Sequence, residues 1–167
     1  MGQANFSAAV GFAINISKHF DLSGNMTWVY FVYGNLTESY NDSSDLMNAE
    51  ADLTFRFPND TRAHLGATLE LAKETLIEDG SRGDGTNIIV VITSSKSVDD
   101  IAVPSIALKR SNASVFSIGV GNEYSLGQLN EIASDPNEHF VITLNSWKDV
   151  NSTFQIQLAK SFCQGKI

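Results

Sequence analysis

The 167 residues contain one cysteine, Cys163. A disulfide needs two, so no bridge closes within them, and Cys163 is either a quiet thiol or half of a bond to a partner outside them. Three prolines are too few for a proline-rich spacer. Basic side chains are scarce, with 11 Lys and Arg against 19 Asp and Glu and a net charge of −8. That balance excludes nucleic acid as a partner, because a phosphate backbone demands a basic stripe. The acid excess itself reads as solubility rather than as a cation site. No uninterrupted apolar run approaches the roughly 20 residues of a membrane span. Nor does a basic stretch followed by an apolar core stand at the start, as a secretory signal would require. Yet 43% of the residues are hydrophobic and 18% charged, which excludes disorder and fits one globular domain over 1–167.

Asparagine is abundant in one particular context. Asn5, Asn15, Asn25, Asn35, Asn41, Asn59, Asn112 and Asn151 each open an Asn-x-Ser/Thr triplet without proline in the middle. Chance would supply about two or three such triplets. A surface rich in Asn, Ser and Thr produces some freely, but the excess points to N-glycosylation and hence to an extracellular location, as part of a larger protein.

Hydrophobic spacing outlines the elements. Phe6, Ala9, Val10, Ala13, Ile16 and Phe20 recur at helical intervals, predicting a helix over 4–20. The run 26–33 is β-branched and aromatic, as a strand is. Gly34-Asn35 then turns the chain into a more polar strand over 36–40, suited to a sheet edge. Helices are expected at 45–53 and 65–77. The uninterrupted apolar run 87–93 reads as a parallel strand covered on both faces. A helix over 101–111, a strand over 114–120, a helix over 125–134, a strand over 139–143 and a helix over 147–162 complete the pattern. Alternating strands and helices imply an α/β fold with helices on both faces of the sheet.

Three stretches carry a resemblance to the von Willebrand factor type A family. Val90-Val91-Ile92-Thr93-Ser94-Ser95-Lys96-Ser97 resembles the family's strand ending in Thr-Asp-Gly-x-Ser. Ala107-Leu108-Lys109-Arg110 with Val115-Phe116-Ser117-Ile118-Gly119-Val120-Gly121-Asn122 is similar to "ALKR…VFAIGVGN". Leu129-Asn130-Glu131-Ile132-Ala133-Ser134-Asp135-Pro136 is similar to "LxEIASDP". The resemblance implies a Rossmann-like, doubly wound and mostly parallel sheet with one antiparallel edge strand. It also implies that Asn5-Phe6 follows the family's first, central strand and its Asp-x-Ser-x-Ser motif, which are missing from 1–167. A chain without that strand is expected to fold poorly alone, because its lost burial rivals a domain's whole ~5–15 kcal/mol of stability.

The family's Mg²⁺ site draws hard oxygen ligands from Asp-x-Ser-x-Ser, a threonine in a second loop and the aspartate of Thr-Asp-Gly. By that resemblance Ser94 replaces the aspartate. The threonine position falls on Ala63 without gaps, or on Thr61 after a shift of two. The site is thus expected to be degenerate, with no cofactor, and Mg²⁺ would bind only if residues upstream complete it. Cys163 resembles the family's terminal cysteine, which often bridges to one ahead of the first strand.

Other motifs weigh less. Arg82-Gly83-Asp84 is the tripeptide integrins read, or else a solvated turn. Gly119-Val120-Gly121-Asn122 lacks the spacing of a nucleotide loop and reads as a tight strand-to-loop turn. His19, His64 and His139 stand apart with no ligand spacing, and no nucleophile elbow or HExxH is present. The sequence therefore points to an extracellular binding module without enzymatic activity. Its expected partners are matrix proteins such as collagen, or cell-surface receptors. A metal-dependent adhesion domain and a doubly wound enzyme are the competing readings.

Overall fold

The computed structural model describes residues 3–22, 29–33, 36–40, 42, 44–46, 48, 62–76 and 87–164. The elements in order are α1 (Gln3–Ser17), β1 (Val29–Tyr33), β2 (Leu36–Tyr40), α2 (Leu65–Thr75), β3 (Asn87–Ser95), α3 (Ala102–Arg110) and β4 (Ala113–Glu123). There follow α4 (Leu126–Ile132), α5 (Asn137–Phe140), β5 (Val141–Leu144), a 3₁₀ turn (Trp147–Asp149) and α6 (Ser152–Gln164).

The described strands form two sheets. β3, β4 and β5 run parallel in that order, with Asn87 opposite Ala113 and Ser117 opposite Val141. β1 and β2 form an antiparallel pair, Val29 opposite Tyr40 and Tyr33 opposite Leu36. The expected antiparallel strand is therefore present, as one member of a hairpin. Of the helix expected over 45–53, only residues 45, 46 and 48 are described, and they are helical.

The period of two along a strand sorts the core into layers. Ile88, Val90 and Ile92 of β3 and Phe116, Ile118 and Val120 of β4 face α1 and α6, where Phe12, Ile16, Leu158 and Phe162 meet them. Ile89, Val91 and Val115 face the other way, against Leu69 of α2, Leu108 of α3 and Ile132 of α4. Helices thus cover both faces, which is why the run 87–93 is apolar without alternation. α1 has a second contact: Phe6, Val10 and Ile14 pack with Val29, Phe31 and Tyr33 of β1. Two of the aromatics in this strand, Phe31 and Tyr33, are therefore packing residues.

Three expectations are corrected. The strand expected over 139–143 begins only at Val141, because residues 137–140 close one helical turn. That turn sets Phe140 against Phe116, with ring centroids 4.9 Å apart. The last helix is broken in two. Ser146 and Asp149 form a capping box around the 3₁₀ turn, and Asn151 Oδ1 then accepts from Phe154 N–H at 2.9 Å to start α6 afresh. Finally, 119–122 is no turn, since β4 continues through it to Glu123. Gly119 is needed there for packing: a Cβ would lie 2.6 Å from Leu129 Cδ1 and 2.7 Å from Tyr124 Cγ.

Candidate functional site

In parallel α/β sheets the loops beyond the carboxyl ends of the strands are free to carry function, because the faces are covered by helices. Here that edge holds the end of β3, the following residues 96–100, residues 62–64 before α2, and the start of α4. One hydroxyl ties them together. Ser97 Oγ accepts from Leu65 N–H at 2.8 Å, and its single proton faces both Ala63 O, at 3.1 Å, and Asp99 Oδ1. Val98 N–H also donates to Ala63 O at 2.9 Å, and Ala63 and Ser97 form a parallel bridge.

Asp99 completes the arrangement. The first amides of a helix lack intrahelical partners, and His64, at the N-cap of α2, makes no side-chain cap bond. Asp99 supplies it from another loop. Its Oδ1 accepts from Gly66 N–H at 3.1 Å and its Oδ2 from Ala67 N–H at 3.0 Å. Partial burial, the largest single influence, pushes its pKa upward. Hydrogen bonds from Ser97, Ala67 and Gly66 together outweigh it, so the carboxyl titrates below its ordinary value. The approach of the two segments is close enough that a Cβ on Gly66 would lie 2.1 Å from Asp100 O. From the other side, Ser97 N–H donates to Gln128 Oε1 at 2.8 Å and Gln128 Nε2 donates to Ser97 O at 3.3 Å.

Ser94 lies at this edge, buried at 7% exposure beside Thr93, whose Oγ1 donates to Ser95 O at 2.8 Å. The structure therefore brings Ala63 and Ser94 to the same edge, while Thr61 lies outside the described residues. The donor set among the described residues does not suit Mg²⁺. Ser94 is neutral, Ala63 contributes a methyl and a carbonyl oxygen already bonded twice, and the nearby carboxylate of Asp99 is engaged by the helix amides. Among the described residues, no three His, Cys, Asp or Glu side chains gather as a cation cage would need. What the edge offers is a set of loops braced by buried hydroxyls, with exposed apolar groups beside them.

The other candidates lie apart. Asn5 and Asn15 are exposed on α1, Asn112 is exposed in the turn before β4, and Asn151 is exposed at the start of α6. Asn25, Asn35, Asn41 and Asn59 lie outside the described residues, as does the Arg82-Gly83-Asp84 loop. Cys163 falls within α6, and its side chain lies outside them too. Ser97, Asp99 and Gln128 were not singled out by sequence reasoning. The Ser-x-Asp spacing was visible, but nothing in it shows that a helix 32 residues earlier would be capped by it.

The family model for the von Willebrand factor type A domain matches residues 1–156. The chain belongs to this family. It is 27% identical over 167 residues to the human collagen alpha-1(XXI) chain, covering 96% of this chain and 17% of that one. To human cochlin it is 28% identical over 143 residues, 83% of this chain and 26% of cochlin. The von Willebrand factor type A domain described here therefore spans well under a third of these relatives. Among solved structures, proximal thread matrix protein 1 of the mussel byssus, with a zinc-occupied MIDAS motif, superposes with a TM-score of 0.79 at 20% identity. That match covers 97% of this chain and 43% of the other, and the likeness establishes the type A fold.

Proposed function

We propose that this type A domain is an extracellular protein-binding module that engages matrix proteins or cell-surface receptors through the carboxyl edge of its parallel sheet, without a bound cation. It is a binding domain and not an enzyme. The observation that carries this reading is the clasp of Ser97, Asp99 and Gln128, which braces the loops by hydrogen bonds between side chains and backbone. A braced surface loses little conformational entropy on binding, which favours affinity. The adjoining segments expose apolar side chains that a partner could cover: Val98 is 57% exposed, Val103 in the first turn of α3 68%, and Leu126 at the start of α4 53%. The family relationship to a collagen chain and to cochlin supports matrix proteins, collagen among them, as the partner class, and with it an extracellular location. No helix among the described residues is long and apolar enough to cross a membrane.

The test is binding of the chain to immobilised fibrillar collagen and to integrin-bearing cells, measured in EDTA and in millimolar Mg²⁺. Binding equal in both and lost in Val103→Asp and Leu126→Asp supports the reading. Binding abolished by EDTA would transfer the site to the metal-dependent alternative, and loss in Arg82→Ala alone would transfer it to the integrin-type loop.

A further inference from the structure

The triplets of Asn112 and Asn151 leave the asparagine Nδ2 and the triplet hydroxyl without a hydrogen bond among the described residues, and we infer that Asn112 and Asn151 carry N-linked glycans. The inference rests on the extracellular reading above, since the transferring machinery and its lipid diphosphate-linked oligosaccharide donor lie on the secretory route. In the transfer, the asparagine Nδ2 bonds to the anomeric carbon of the sugar. The bond from that carbon to the diphosphate breaks, the lipid diphosphate leaves with its electron pair, and the amide nitrogen loses one proton.

Each asparagine has a structural role that would explain it alone. Asn112 follows α3 in the left-handed region, at φ 59°, where asparagine is tolerated better than any residue but glycine. Asn151 caps α6 through Oδ1. Neither role needs a hydroxyl two residues on, yet Ser114 and Thr153 supply one. Among the described residues neither hydroxyl makes a hydrogen bond, and the same holds for the Nδ2 atoms of Asn112 and Asn151. Asn15 contrasts with both. It lies within α1, its Oδ1 accepts from Lys18 Nζ at 3.1 Å, and its triplet hydroxyl, Ser17, is buried and bonded to Ala13 O at 2.8 Å. There the hydroxyl explains itself as a helix residue satisfying its own proton.

The two positions also suit a bulky, solvated group. Both asparagines are exposed, one in a turn and one at a helix start, so neither glycan has to pass a neighbouring element. Asn112 precedes β4 and thus lies at the amino edge of the parallel sheet, the end opposite Ser97 and Asp99. Asn151 follows β5, which is separated from β3 by β4. A sugar at Asn112 leaves the proposed contact edge uncovered.

The experiment is to direct the full chain through the secretory pathway of a mammalian cell line behind a cleavable signal. The product is treated with peptide N-glycosidase in ¹⁸O-labelled water, and its peptides are read by mass spectrometry. Expected is labelled aspartate at 112 and 151 in most molecules. Ser114→Ala and Thr153→Ala, which keep both asparagines and their structural roles, should each lower the apparent mass by one glycan step. Unlabelled asparagine at both positions in secreted chain overturns the inference. Binding of the deglycosylated chain to collagen tests the proposed function separately, so either idea can fail without the other.

Discussion

Gln128 and Ser97 are joined as a strand pair would be: the side-chain amide of one accepts from the backbone N–H of the other at 2.8 Å and donates to its backbone carbonyl at 3.3 Å. A single glutamine thereby substitutes for a neighbouring strand at the point where β3 has ended. Gln128→Ala removes both bonds and leaves two backbone groups of the buried Ser97 without these partners. We expect a loss of about 1–2 kcal/mol, measured by urea unfolding. Gln128→Glu keeps the acceptor but not the donor and should fall between wild type and alanine.

Acid should weaken the clasp through Asp99. Its folded pKa lies below the ordinary value, so protonation is less favourable in the folded chain than in the unfolded one. The contribution to stability is present above the unfolded value of about 3.9 and is lost as pH falls through the lower folded value. Asp99→Asn cannot titrate and should flatten this part of the acid limb, read from urea midpoints between neutral and strongly acid pH. An unchanged acid limb would show that Asp99 is not coupled to folding.

The close approach at Gly66 gives a steric test. With a Cβ placed 2.1 Å from Asp100 O, Gly66→Ala must separate α2 from residues 96–100. Overpacking of this kind costs roughly 1–3 kcal/mol. The substitution should also speed hydrogen exchange at Gly66 and Ala67, whose amides bond Asp99. Stability equal to wild type would mean that the segments part without cost.

The metal can be tested by addition and by repair. The melting temperature of the chain is expected to be the same in EDTA and in Mg²⁺, since a ligand that binds only the folded state raises it. Ser94→Asp returns a carboxylate to the edge but no second free anionic ligand from the described residues. Calorimetric titration with Mg²⁺ should therefore remain unsaturable. Saturable binding by the Ser94→Asp chain would show that the remaining ligands are already in place.

The fold could be read from the sequence wherever burial dictates residue type. The run 87–93 announced a strand covered on both faces, and β3 is that strand, with successive residues turned to opposite helix layers. Ends were harder to read, because local bonds decide them. Asn151 resembles any helix residue until its Oδ1 is seen to restart α6, and Phe140 reads as a strand residue until its ring meets Phe116. At the site, the substitution at Ser94 was visible through resemblance and told what is missing. What holds the edge together instead was invisible, because Ser97, Asp99 and Gln128 act on backbone groups about 30 residues away.

The arrangement of α1 and α6 has a mechanical side. Phe12 stacks on Phe154 and Phe20 on Phe162, so the two helices lie side by side and point the same way. Tension applied at Gln3 and Gln164 in opposite directions would slide one helix along the other instead of peeling them apart. Both aromatic pairs then resist together, and they yield together, which makes the helix pair a shear joint for any pull transmitted through the domain.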